Sequence, residues 1–457
     1  MGRALRVPTG RELRDVARLA LPIVIVQVGM MLMGVVDSAM VGRYSAEGLG
    51  AVALGNLYWF GVVSIGQGTL MALDPLVAQA VGAHDRPAIA RALQRGLLLS
   101  VVIAIPTALA LLPGESLFTM LGQPPEVVPL AAAYARASIP GVLPFLAFMV
   151  LRQTLQAFTL VRPVVIAVVV ANLANVVVDW ALIFGRLGLP ELGAVGAGRA
   201  STICRILMAA MVLVSGRNVL VPYLREWTRA DLAVGPLWRM LRLGFPIGLQ
   251  LWIEVAAFSA AMLLVGRLGA LPLAGHQIAL TLAALTYMVP LGVSQAAAVL
   301  VGQAIGRGDT DAARREGSAA LACGVGFMAT TAIVLVAAPQ LLARAFTADA
   351  AIVAAAAALI PIAGVFQVFD GTQGVASGIL RGAGDTRVPM WCNLAGYLLV
   401  GLPLGAWLCF ARGWGAPGIW WGLVAGLAVV AALLGWRVHA IIGGELRRLA
   451  VSGAEAQ

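Results

Sequence analysis

"LVAQAVGAHD" occupies residues 76–85, and 224 positions later "LVGQAIGRGD" occupies residues 300–309. The same shift carries "LPI" at 21–23 onto "FPI" at 245–247 and "VGR" at 41–43 onto "VGR" at 265–267. Further along the offset becomes 221: "SIPG" at 138–141 meets "LIPI" at 359–362, and "NLA" at 172–174 meets "NLA" at 393–395. Chance similarity does not hold register over such a length. The chain therefore reads as two halves of like topology.

Composition says what the halves are made of. Of 457 residues, 61% are hydrophobic and 11% charged, with a mean hydropathy of +0.93. A soluble domain needs about a quarter of its residues charged to cover its surface. Repeated uncharged runs of about 20 residues read instead as transmembrane helices. Barrel strands would alternate, and these runs do not. Twelve spans are expected at roughly 16–42, 51–80, 96–112, 131–156, 164–185, 195–215, 244–266, 273–303, 317–338, 353–377, 389–411 and 418–437. The basic stretch "RELRDVARLALP" leads into the first, which is too long for a signal-peptide core. The fold class is thus all-α and integral to a lipid bilayer, with six helices per half. Residues 1–215 form the N-terminal lobe, 216–243 a cytoplasmic linker and 244–457 the C-terminal lobe. An even number of spans per half makes the repeats parallel, an arrangement in which transporters hold substrate between halves.

The net charge is +10 and the chain has no lysine, so all 31 basic residues are arginine. With the N-terminus inside, 24 arginines fall in inner loops or adjoining helix ends and 7 at the outer side. That asymmetry places both termini in the cytoplasm. It accounts for the positive charge without nucleic acid. The four cysteines lie in apolar runs at no metal-like spacing and read as small core residues.

Ionisable groups at membrane depth cost at least ~2.5 kcal/mol on insertion scales and mark function. Five acids qualify: Asp37, Asp74, Asp179, Glu254 and Asp370. Helical spacing groups them with amides. Asn172, Asn175 and Asp179 share a face of span five, Gln250 and Glu254 stand one turn apart in span seven, and Gln367, Asp370 and Gln373 form a ladder in span ten. The amides alone could serve as interhelical glue. A buried acid with no cationic partner is poor glue. Such a carboxyl can hold a proton and release it when the site opens to water or a cation arrives. It can also coordinate Na⁺ together with neighbouring amide oxygens. Both are antiporter chemistry. Walls rich in Met and aromatic residues, such as Met30, Trp252, Phe258, Tyr287 and Phe366, suit flat organic cations. There is no HExxH, DDxxD or P-loop motif, and this argues against an enzyme or an ATP-driven pump.

With these residues in view, the chain resembles the MATE (multidrug and toxic-compound extrusion) family, and within it the NorM-like bacterial branch. The resemblance rests on "LGFPIGLQLWIE" at 243–254, "LAGHQIALTLAALTYMVPLGVSQAAAVLVGQAIGRGD" at 273–309 and "VFDGTQGVASGILRGAGDTRVP" at 368–389, with "VDSAMVG" at 36–42 and "VLRQTLQAFTLVRP" at 150–163 in the first half. It implies twelve helices in a V-shaped pair of lobes. The implied activity is export of cationic drugs across the bacterial inner membrane in exchange for H⁺ or Na⁺, with no other cofactor, by a chain expected to be monomeric. Asp37, Glu254 and Asp370 match the family's acids, the last two its C-lobe cation site. Gln277, of "HQIA", resembles a residue lining the drug cavity, which would also take in Gln250, Tyr287, Phe366, Gln367 and Gln373. Asn175 and Asp179 match the N-lobe site of the sister DinF-like branch, with Asn172 adding to the face and Ser201 in place of the usual Thr. Carrying both sets of acids leaves the coupling lobe open. Where related proteins often have a Tyr, this chain has Phe366; the lost hydroxyl favours H⁺ over Na⁺. A lipid-linked sugar flippase is the alternative within the same superfamily. It would call for extra helices and a basic interior.

Overall fold

A computed structural model describes residues 7–225, 233–444, 446, 448 and 449. Among them, twelve helices are long and apolar enough to cross a membrane. They are α1 (Gly10–Tyr44), α2 (Ala46–Gly82), α3 (Arg86–Leu111), α4 (Val128–Ala157), α5 (Arg162–Ile183), α6 (Gly193–Ser215), α7 (Val234–Gly266), α8 (Ala270–Gly306), α9 (Thr310–Ala337), α10 (Ala350–Gly382), α11 (Arg387–Ala411) and α12 (Ala416–Gly443). The protein is therefore a multi-pass membrane protein. The basic leader is not a separate element: it opens α1, where Glu12 reaches back to the Thr9 backbone N–H at 2.9 Å in a capping box. Two spans are broken, α2 at Met71–Ala72 and α4 by the turn Ile139–Gly141. Part of the expected linker lies outside the described residues. Of the rest, Arg217–Leu224 is a short helix and α7 begins at Val234.

The repeat is written into the backbone. Asp85 accepts from Ala88 N–H at 3.0 Å and starts α3; Asp309, 224 residues on, accepts from Ala312 N–H at 2.8 Å and starts α9. The residue before each has a left-handed backbone, His84 at φ 55° and Gly308 at φ 74°.

By contacts, the helices fall into two compact units. One holds Ile25–Gly248 and the other Leu249–Leu449 with the chain up to Val24. The two cuts, after Val24 and after Gly248, are again 224 apart. The start of α1 thus packs in the unit of the second half, and the start of α7 in the unit of the first. The sequence division at 215 and 244 follows connectivity; contacts divide the chain elsewhere. Glycines make the room. A Cβ at Gly68 of α2 would lie 2.5 Å from Gly248 Cα of α7, and one at Gly292 of α8 would lie 2.5 Å from Val24 Cγ2 of α1. Pro22 and Pro246, also 224 apart, each remove an internal hydrogen-bond donor two residues before the cut.

In the C-terminal unit, α10 packs on α8, α9 and α12. Its Gly374, Gly378 and Gly382, one turn apart, meet Tyr287, Ser294 and Ala298 of α8, the close approach that small residues allow between membrane helices. Ser294 Oγ donates to Gly374 O at 2.7 Å. These glycines serve packing, and α10 stays helical through all of them.

Candidate functional site

The structure gathers the sequence-derived acids into two clusters, one in each unit. In the N-terminal unit, Asp37 of α1 accepts from Asn175 Nδ2 of α5 at 2.9 Å and from Ser201 Oγ of α6 at 2.6 Å. All three side chains are buried, and Asp179 is wholly so. Asp179 follows Asn175 by one turn and interacts with Asp37, while neither of its oxygens receives a hydrogen bond. Three helices thus hold two carboxyls against each other with polar donors on only one of them. Asn172 lies apart from this cluster. Its amide donates to Gly29 O at 2.9 Å and Val168 O at 2.8 Å, tying α5 to α1 as glue.

Two residues that the sequence reading passed over complete the surroundings. Tyr134 of α4 is buried and interacts with Asp37, Asp179, Ser201 and Arg205. Arg205 of α6 is buried, with its guanidinium carbon 3.6 Å from the centre of the Trp59 ring. Charge counting had placed Arg205 among the cytoplasmic arginines. Arg95, Arg152 and Arg381 are also buried. The picture of interior acids without interior cations is therefore corrected: helices that look uniformly apolar carry arginines whose stems pack inward. The one signal available was Arg205's spacing, one turn after Ser201 on α6.

In the C-terminal unit the centre is Glu254 of α7. Its Oε1 accepts from Gln373 Nε2 of α10 at 2.8 Å, from Asn393 Nδ2 of α11 at 2.5 Å and, more distantly, from Gln250 Nε2 at 3.4 Å. Gln250 also reaches Ser377 Oγ at 3.3 Å. Asp370 is buried and interacts with Glu254. Tyr287 of α8 and Tyr397 of α11 both interact with the two acids, and Arg381 of α10 interacts with Glu254 and Tyr287. A Cβ on Gly374 would stand 2.8 Å from Tyr287 Oη, so the glycine admits that hydroxyl against α10. Asn393 and Tyr397 were missed because α11 looks apolar. In it, Asn393 ends an α-helical stretch and Tyr397 sits in a wider π-helical one, Leu394–Gly401. Such widenings recur at functional sites and shift the face that residues present.

Three residues expected to line the drug cavity lie outside both carboxyl clusters. Phe366 is buried in an aromatic cluster, edge-on to Phe258 at 5.9 Å and to Trp420 at 5.6 Å. Gln367 donates to Thr286 Oγ1 at 2.5 Å, apart from the carboxyls. Gln277 is exposed on α8, beside a buried His276 that accepts from Trp420 Nε1 at 3.1 Å. Asp74 is buried in the broken segment of α2, in neither cluster. Among the described residues no group of three or more His, Cys, Asp and Glu is arranged to hold a metal ion; the acids come in pairs.

Both halves of the chain match one family model, described as MatE, over residues 22–181 and 246–407. The chain is similar to the multidrug resistance protein NorM of Burkholderia vietnamiensis, at 38% identity over 440 residues covering 94% of each. It is also similar to the probable multidrug resistance protein NorM of Mesorhizobium japonicum, at 39% identity over 440 residues covering 93% of each. Among solved structures, a eukaryotic MATE transporter matches with TM-score 0.87 at 24% identity, over 94% of this chain and 95% of that one. An outward-facing multidrug resistance MATE family transporter of the MOP superfamily matches with TM-score 0.84 at 20% identity, over 95% and 99%. These likenesses show the fold.

Proposed function

This chain belongs to the MATE family, transporters and not enzymes, and on that premise we propose that it exports small cationic drugs across the bacterial inner membrane in exchange for a coupling cation. The observation that carries the reading is Glu254. Its carboxylate oxygen is held by amide donors from three helices, beside a second acid, Asp370. Amides fix a carboxylate in place but leave its charge unneutralised. A cation, a proton or a cationic drug can therefore displace one another there. Exchange follows when the site opens first to one side and then to the other.

We take the coupling ion to be a proton. A second reading is favoured by one observation. Tyr287 and Tyr397 interact with Glu254 and Asp370, which returns to this site the hydroxyls that Phe366 lacks, and oxygen donors of this kind suit Na⁺. We place both termini in the cytoplasm. With the four buried arginines set aside, 20 remain on the inner side against 7 on the outer. The protein works as a monomer, since one chain supplies both halves of the repeat. Purified protein in liposomes, given a pH gradient or a Na⁺ gradient separately, tests the reading through ethidium efflux. Efflux under the pH gradient is expected; efflux under Na⁺ alone selects the second reading; none under either sinks both.

A further inference from the structure

We propose that Arg205 is a resident counter-charge of the Asp37–Asp179 pair and limits that pair to one coupling cation per transport cycle. The inference rests on the cation-coupled reading above and adds a residue that sets its charge count.

Arg205 follows Ser201 by one turn of α6, so the hydroxyl that donates to Asp37 and the guanidinium share a helix face. The guanidinium is more than nine-tenths buried, stacked on Trp59 of α2. The break in α4 makes its room: a Cβ at Gly141 would stand 3.1 Å from Arg205 Cδ and 3.2 Å from Nη1. Nη1 has no hydrogen-bond partner. The positive charge is answered by the Trp59 ring and, through space, by Asp37. A guanidinium does not give up its proton in a protein, so this charge is permanent.

The groups facing the acid pair are few. Tyr134 comes from α4, Asn175 from α5, and Ser201, Cys204 and Arg205 from α6; α2 contributes the Trp59 ring. A phenol and a thiol in their ordinary protonated forms carry no charge. With both carboxyls ionised, the cluster therefore has one negative charge in excess. One added cation makes it neutral. A second would leave the guanidinium uncompensated in an apolar interior, which is costly.

Hydrogen bonds say which acid keeps its charge. Asp37 accepts from Asn175 through one oxygen and from Ser201 through the other, while the oxygens of Asp179 receive none. Asp37 is the ionised partner of Arg205, and Asp179 is where the coupling proton sits, free to donate to Asp37.

Infrared difference spectroscopy of the full-length protein in nanodiscs, on mild acidification, counts protonated carboxyls by their C=O stretch. With Arg205 intact, the pair should contribute one band, abolished by Asp179→Asn. In Arg205→Gln and in Arg205→Met, which keeps the packing of the stem, it should contribute two, one lost with each Asp→Asn change. Arg205→Lys should restore one. Two bands from the pair with Arg205 intact overturn the proposal, whatever the variants do. So does a single band in the charge-removing variants. Transport is read separately. Absence of ethidium efflux under either gradient would refute the coupling reading, while the band count judges Arg205 by itself.

Discussion

Asn393 and Glu254 lie 139 residues apart, and the amide of the first donates to the carboxylate of the second at 2.5 Å. A charge-assisted bond of this kind contributes about 1.5–3 kcal/mol. If the fixed carboxylate is the exchange site, Asn393→Leu should lower ethidium efflux roughly ten- to a hundredfold, by the same free-energy scale. Asn172→Leu is the control, because that amide serves only backbone carbonyls. Efflux rates in liposomes at matched protein content compare the two. Equal loss in both would mean that Asn393 merely holds helices together.

Glu254→Gln should abolish drug resistance in cells while membrane expression persists. The amide keeps the shape but cannot exchange a charge. Resistance at the level of the unchanged protein would move the coupling site out of the C-terminal unit.

Phe366→Tyr tests the meaning of a deviation visible in the sequence. The ring lies edge-on to Phe258 and Trp420 in the apolar core. A hydroxyl added there is expected to cost about 1–3 kcal/mol for want of a partner, read as a lower melting temperature in detergent. It should not create Na⁺-driven efflux. Tyr397→Phe is the variant expected to weaken any Na⁺-driven component.

The exchanged helix ends predict a contrast between glycines. A Cβ at Gly244 of α7 would run into the Thr69 carbonyl of α2, whereas one at Gly326 of α9 meets nothing within 4 Å. Gly244→Ala should prevent recovery of monodisperse protein. Gly326→Ala should stabilise it slightly, by roughly 0.5–1 kcal/mol, as a helix-interior replacement of glycine does. Size-exclusion profiles and melting curves separate the two.

The matched caps predict a matched cost. Asp85→Ala and Asp309→Ala should each destabilise by about 1 kcal/mol, and the double variant by their sum, since distant sites act independently. His84→Gly should stabilise, because His84 holds the left-handed backbone that glycine adopts at the matching position, Gly308. Denaturant melts of the four variants check both statements.

The membrane class, the twelve helices, the repeat and the four acids that the structure brings together in pairs are legible along the chain. These are properties of local composition and periodicity: an apolar run must be helical in lipid, and a polar stripe on it shows at a spacing of three or four. Asn175 with Asp179, and Gln250 with Glu254, were legible for that reason. Which stripe meets which is settled by packing. Periodicity gives the face of a helix but not its neighbour. Asn393 and Tyr397 lie on a helix whose π-helical stretch alters the face, Tyr134 and Arg205 act across helix boundaries, and the exchange at Val24 and Gly248 depends on glycines far away in the chain. An arginine counted on the cytoplasmic side, among loop and helix-end charges, proved to be a buried one. A charge count sees residue type, whereas burial is a property of the packed whole.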